Sequence, residues 1–262
     1  MRLLMNDLGA TIEAGPGEPL DRAALSRLYA YPAGAGDRPW VRANFVSTLD
    51  GAVAGADGRT GSINTGADHE VFTLLRALAD VIVVGAGTAR VEGYRRPVAA
   101  ERWRGLGLRR GRPDHPALVV VSRSAVLPET LYETSGESGE VLLATCAAAG
   151  TDAIRRAARH LGADRVIVQG GPGVDVAAAL DDLAGQGLTR ILCEGGPRLL
   201  HDVVAADRLD ELCLTVTPEM VAGTQPRILV GPDLRAPLVP RLLIESDGTL
   251  LGRWIRPGES TS

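Results

Sequence analysis

Lysine is absent from the chain: all 28 of its basic residues are arginine. A nucleotide-triphosphate P-loop needs a lysine after its glycines, a protein kinase needs one on a strand, and Schiff-base or pyridoxal chemistry needs a lysine amine, so these classes are excluded. Every fixed positive charge is a guanidinium, suited to a bidentate grip on phosphate or carboxylate. Cysteine is scarce. Cys146, Cys193 and Cys213 are widely spaced, odd in number and form no C-x-x-C pair, so neither a disulfide framework nor a structural zinc site is expected. The histidines (His69, His115, His160 and His201) form no H-E-x-x-H or H-x-E pattern, and no metal is predicted. A G-x-S-x-G nucleophile elbow is missing as well. No apolar run approaches the ~18–20 residues of a membrane-spanning helix. The apolar stretch at Met1–Asp7 is too short for a signal peptide, which predicts a cytoplasmic protein without a membrane partner. A net charge of −4 and a pI of about 5.6 argue against a nucleic-acid partner.

The chain has 262 residues, 45% of them hydrophobic, with a mean hydropathy of +0.06. That is a globular profile with enough apolar surface for one well-buried core. Residues 1–39 are expected to be an extension. They hold the Gly/Pro-rich stretches 15–19 and 32–36 around one helical pattern over Leu20–Tyr31, with Asp21 as N-cap and Pro32 as stop. Residues 40–262 are expected to form the main domain. Here strand and helix patterns alternate. Strands are read at 42–49, 80–85, 117–121, 141–144, 165–168 and 190–193, most of them short continuous apolar runs of the buried parallel kind. Helices are read at 68–79, 152–161, 175–185 and 197–207. Strands at 211–217, 241–245 and 250–255 follow, the last two joined by the hairpin signal Asp247-Gly248. The predicted class is α/β: a mainly parallel sheet with an antiparallel C-terminal edge. Segment 90–112 holds eight Arg against two Glu. It reads as a solvated basic loop, or alternatively as a phosphate-facing lid.

Glycine clusters follow strand ends at Gly85-Ala-Gly-Thr88, Gly170-Gly-Pro-Gly173 and Gly195-Gly196-Pro197. Such turns expose backbone N–H groups to anions, although a tight strand–helix turn explains each equally well. Gly85-x-Gly87 has Arg90 where the dinucleotide fingerprint needs its third glycine, which disfavours a standard Rossmann domain. In the third cluster Pro197 suits the first helical position and Gly196 the cap, leaving free donors. Ser122-Arg123 directly after a strand is either a small anion pocket or a surface turn. Asp50 and Glu194 stand at strand ends, where α/β ligand sites form, and could bind a heterocycle's N–H groups or relay a proton. Asp50-Gly51 is also an ordinary turn pair, whereas Glu194 has no such turn role. Arg76, off its helix's apolar stripe, is either solvated or a phosphate ligand. Thr60 and Ser62 could donate to ligand oxygens.

In order, Asn44-Phe-Val-Ser47-Thr-Leu-Asp50-Gly51, Leu75-Arg76-Ala, Asp80-Val-Ile-Val-Val-Gly-Ala-Gly-Thr88, Glu194-Gly-Gly-Pro-Arg-Leu-Leu200 and Leu209-Asp-Glu-Leu-Cys-Leu-Thr-Val-Thr-Pro218 resemble the reductase domain of the riboflavin-biosynthesis deaminase/reductase. That domain has a dihydrofolate-reductase-like fold, and the resemblance runs from about Trp40 to Arg256. It implies NADPH as cofactor and hydride transfer to C1′ of a phosphoribosylamino-pyrimidine. It places Ser47, Ser62, Thr88, Glu92, Ser122, Arg123, Gly195, Gly196, Pro197 and Leu199 on the cofactor side. Thr60 and Arg76 fall on the substrate side, and Asp50 and Glu194 become the catalytic pair. A homodimer is implied as well. Two departures stand out. The 262 residues contain no zinc deaminase half, so deamination is not expected of this chain. The stretch Glu92-Gly-Tyr94-Arg-Arg96-Pro rewrites the loop after Thr88, where the family has an acidic pair followed by Pro and Leu. Alternatives are pterin or dihydrofolate reduction on the same scaffold, or a non-catalytic NADPH-binding protein.

Overall fold

The structure, a computed structural model, describes residues 1–9, 15–33, 38–133 and 136–258; most of the Gly/Pro-rich stretch 32–36 lies outside them. Ten strands form one sheet: β1 (Arg2–Asn6), β2 (Trp40–Thr48), β3 (Val81–Gly85), β4 (Ala117–Val121), β5 (Val141–Thr145), β6 (Val166–Val168), β7 (Arg190–Cys193), β8 (Glu211–Thr217), β9 (Val239–Ser246) and β10 (Thr249–Ile255). Their order is β1-β9-β10-β8-β2-β7-β3-β4-β5-β6. From β8 to β6 the neighbours are parallel. From β1 to β8 they are antiparallel. The predicted class, a mainly parallel α/β sheet with an antiparallel edge, is the observed one.

Strand alternation explains the two cores. Successive side chains point to opposite faces. Ile82, Val84, Leu118, Val120 and Leu143 therefore join α1 (Arg22–Leu28), α2 (Gly66–Leu78) and α5 (Thr151–Leu161) on one side. Val81, Val83, Val119, Leu142 and Ile191 join α6 (Val176–Gly185) and α7 (Pro197–Ala205) on the other. Covered on both faces, the parallel strands have no polar face to show, hence their continuous apolar runs. The hairpin between β9 and β10 turns through Asp247 and Gly248, both at positive φ (50° and 81°).

Two expectations change. Strand β1 was not foreseen; it pairs antiparallel with β9 through Leu3↔Ile244 and Met5↔Leu243 and covers the edge that the C-terminal strands would otherwise present. With α1 it packs Leu3, Leu25, Leu28 and Tyr29 into the main core. The basic segment is not simply solvated. After α3 (Ala86–Val91) it forms α4 (Glu101–Arg104), whose buried Trp103 donates through Nε1 to Thr73 Oγ1 at 3.0 Å. Arg109 and Arg112 then donate to the carbonyls of Ala77, Ala79 and Leu78 at the C-terminus of α2, where a cation complements the helix dipole. Among the described residues no helix is long and apolar enough to cross a membrane, and no His, Cys, Asp and Glu group is arranged to hold a metal.

Candidate active site

Four adjacent parallel strands, β2, β7, β3 and β4, end on the same side of the sheet, the side where ligand crevices of open α/β sheets form. A cleft of about 1460 Å³ opens there. Asn44 and Phe45 come from β2, Glu194 follows β7, Gly85–Thr88 follow β3, and Ser122 and Arg123 follow β4. Thr60, Glu92, Gly196, Pro197 and Leu199 also line it. Helix α2 contributes Asp68, Phe72 and Arg76, spaced by four residues and so one stripe of the helix.

Glu194 is fixed from both ends. Its N–H donates to Val83 O on β3 at 3.0 Å. Its carboxylate takes a fork from Arg76, Nε to Oε1 and Nη2 to Oε2, both at 2.7 Å. The Tyr94 hydroxyl donates to Oε2 at 2.6 Å. The Arg76 guanidinium lies 4.2 Å from the Phe72 ring centroid and 5.3 Å from that of Tyr94, so it is held between two aromatic faces. Burial disfavours its charge, but Glu194 outweighs burial and raises its pKa. Burial, reinforced by Glu194, raises that of Tyr94 well above the ordinary phenol value, so the phenol is a donor. Tyr94 is anchored through its backbone: its N–H donates to Ala89 O at 2.8 Å, and its carbonyl accepts from Thr130 Oγ1 at 2.7 Å. Arg76 is thus ion-paired with Glu194 while its side chain remains 23% exposed at the cleft. The Glu194 fork uses two of its five N–H donors, and the rings cover its faces.

The glycine wall has a packing reason. A Cβ on Gly195 would sit 2.6 Å from the Phe45 ring, and one on Gly196 would sit 2.4 Å from Thr88 Oγ1. Gly195 has φ 86°, and the Gly195–Gly196 bond is cis. Gly196 caps α7 with no side-chain bond, and Pro197 opens the helix, as the sequence signal indicated. Gly85 N–H donates to Gly195 O at 2.7 Å, tying the two glycine turns together. Glu92 Oε1 accepts from the Thr60 N–H at 3.0 Å. In Ser122-Arg123 the hydroxyl is occupied, donating to Val126 O at 3.1 Å and accepting from Val126 N at 3.2 Å. The exposed Arg123 guanidinium has no partner among the described residues.

Four of the sequence candidates lie outside the cleft lining. Ser47 is buried in β2. The Ser62 hydroxyl donates to Asp57 Oδ1 and Arg59 O, both at 2.8 Å. Gly195 packs beneath Phe45. Asp50 is exposed, and its carboxylate accepts from Thr48 Oγ1 and from the N–H groups of Val221 (3.3 Å) and Ala222 (2.7 Å). The Thr48 hydroxyl first, then the Ala222 amide, lower its pKa. It closes a turn against a neighbouring loop. Conversely, Asn44, Asp68, Phe72 and Tyr94 line the cleft without having been singled out. For Asp68 and Phe72 the usable signal was their spacing from Arg76.

Residues 39–248 match the family model described as the RibD C-terminal domain. The chain belongs to the RibD C-terminal domain family. Two curated relatives carry the name 2,5-diamino-6-ribosylamino-4(3H)-pyrimidinone 5′-phosphate reductase. The one from Archaeoglobus fulgidus is 27% identical over 71% of this chain and 83% of its own. The one from Methanothermobacter thermautotrophicus is 29% identical over 74% and 84%. In fold, the chain is similar to a pyrimidine reductase-like protein from Corynebacterium diphtheriae, with TM-score 0.77, 24% identity, 90% of this chain and 99% of that one. It is also similar to a two-function deaminase/reductase from Thermotoga maritima, with TM-score 0.62 and 18% identity, and spans 57% of that longer chain. Within this RibD C-terminal domain, the match begins one residue before β2 and so leaves β1 and α1 outside it.

Proposed function

We propose that the chain is a reductase of riboflavin biosynthesis that uses NADPH to reduce a ribosylamino-pyrimidine 5′-phosphate, opening its sugar to a ribityl chain. The observation that carries this reading is the shared cleft. A heterocycle-facing carboxylate, Glu194, sits beside a glycine-lined wall that ends at an unpartnered arginine, Arg123. The wall suits a dinucleotide: Gly87 has open space where its Cβ would be, so a ligand can approach the backbone there. Gly85–Thr88 and Gly196–Leu199 would hold the pyrophosphate, and Arg123 a 2′-phosphate. When bound, the nicotinamide supplies the hydride. The protein's share is orientation and charge. Arg76 and Tyr94 keep Glu194 as an acceptor aimed at substrate N–H groups, and Thr60 and Glu92 shape the opposite wall. A homodimer and a cytoplasmic location accompany this reading.

Oxidation of NADPH should proceed with the 2-amino-4-oxo or the 2,4-dioxo phosphoribosylamino-pyrimidine and not with dihydrofolate. Turnover of dihydrofolate alone would replace the substrate, and no turnover with any of the three would leave a binding protein. Arg123→Ala should weaken NADPH about ten- to a hundredfold, the loss of about 1.5–3 kcal/mol expected for a hydrogen bond to a charged group, and leave NADH unchanged. Equal affinity of the wild type for both nucleotides would remove the 2′-phosphate assignment.

A further inference from the structure

The reaction proposed above needs a proton as well as a hydride, and the geometry points to Asp68 as its donor. The inference rests on that reading of the reaction. As the hydride adds to C1′ of the substrate, a C–H bond forms and the C1′–O4′ bond breaks. Its electron pair goes to O4′, which takes the proton of the Asp68 carboxyl. The nicotinamide cofactor is oxidised, and the Asp68 carboxylate is reprotonated from solvent.

Four carboxyl groups line the cleft: Asp68, Glu92, Glu194 and Asp202. Glu194 is held by the Arg76 fork and the Tyr94 hydroxyl, which place three donors on its two oxygens. Glu92 accepts from the Thr60 amide. Asp202 is exposed, with Oδ1 3.6 Å from His201 Nδ1. Asp68 differs from all three. It is 4% exposed yet lines the cleft, and among the described residues no arginine pairs with it. It stands on the same stripe of α2 as Phe72 and Arg76, so it shares their side of the cleft. The groups acting on it are the Thr215 hydroxyl from β8 and His69 next to it on α2. Burial without a counter-charge at the edge of a ligand cleft favours the protonated form of a carboxyl over what it has in water, and such groups cluster at sites of proton transfer. Burial raises its pKa, and the Thr215 bond and His69 only partly offset this.

A purely structural Asp68 would serve as a residue of the first turn of α2, and Asp68→Asn separates the two roles. Because the folded-state pKa is raised, the stabilising contribution of Asp68 is present below its unfolded value and is lost as pH rises through the folded one. Asparagine should therefore leave the melting temperature at neutral pH unchanged or higher. Infrared difference spectra of the ligand-free protein near neutrality should show a protonated-carboxyl C=O band in the wild type that Asp68→Asn removes. With substrate, kcat should fall about 10²–10⁴-fold, the usual share of a general acid. KM for NADPH should hold, and the alkaline limb of the wild-type pH profile should vanish. A wild-type reductase whose Asp68→Asn variant stays within threefold in kcat, or which lacks the infrared band, overturns the donor role alone. A wild type that reduces neither pyrimidine overturns the reading of function, and the donor role with it.

Discussion

Two arginine–glutamate clusters occupy opposite ends of the central strands. Near the start of β2 and β8, Glu211 is ion-paired with Arg42 at 2.9 Å and with Arg253 at 2.6 Å, and it accepts from Trp40 Nε1 at 3.1 Å. Arg42 and Glu211 are wholly buried and Arg253 nearly so. Two cations face one anion, and the spare N–H groups reach the carbonyls of Leu28, Tyr29 and Ala30 at the end of α1, the negative pole of that helix. At the other end the Glu194 cluster pairs one cation with one anion and a phenol, and it opens to the cleft. The sealed cluster is closed off by protein on every side, with Arg42 Nε meeting Glu211 only as an ion pair, so its role is to fasten α1 to the sheet. The open one ends in space that a ligand can fill. Burial, not residue type, separates fastener from site.

Glu211→Gln should break the sealed cluster most severely, since it leaves two buried guanidiniums without a counter-charge. A loss of about 3–5 kcal/mol in urea denaturation is expected. A loss under about 1 kcal/mol would mean that the two clusters do not differ in kind. Burial works against the Glu211 charge, but Arg253 and Arg42 override it and lower its pKa to about 2 from 4.5. Its contribution to stability is therefore complete above the unfolded value and disappears as pH falls towards 2, and the variant should lose that acid-dependent step.

Glu194→Gln should leave stability within about 1 kcal/mol, because a guanidinium at a cleft can be hydrated. The loss of an interaction felt before and during the reaction should raise KM more than it lowers kcat, with about 1.5–3 kcal/mol in kcat/KM. A large stability loss without a kinetic one would make Glu194 a second fastener. Tyr94→Phe is the finest test. It removes one donor and keeps the ring over Arg76, so kcat/KM should fall only about fivefold, the equivalent of about 1 kcal/mol, with unchanged denaturation.

Much of this was legible in the sequence. Glu194, Arg123 and the glycine turns directly follow apolar strands, and a strand end is the position from which parallel sheets address ligands. Asp68 and Tyr94 were not. The apolar stripe Val71, Leu74, Leu75 and Leu78 showed which face of α2 is buried, but not that the stripe of Asp68 and Arg76 borders the cleft. Tyr94 meets Glu194 across 100 residues, through a loop whose course no periodicity encodes. Asp50 was read towards the substrate because it ends a strand. Its partners, Val221 and Ala222, are brought to it by the loop that follows β8, whose last residue pairs with Thr48. Strand β1 is short and half polar, and the residues it needs lie beyond position 240.

That last pairing has a kinetic consequence. Arg2 and Glu245, joined at 2.5 Å, are 243 residues apart. The loop entropy of such a closure is lost before the contact is gained, which makes it a slow event. During synthesis the parallel strands β2 to β7 can associate while β1 has no partner, since β9 and β10 leave the ribosome much later. Docking of β1 onto β9, and of the Leu28 carbonyl of α1 onto Arg253, should then close the molecule last. Until it does, α1 and its apolar face are exposed to whatever else the cell offers them.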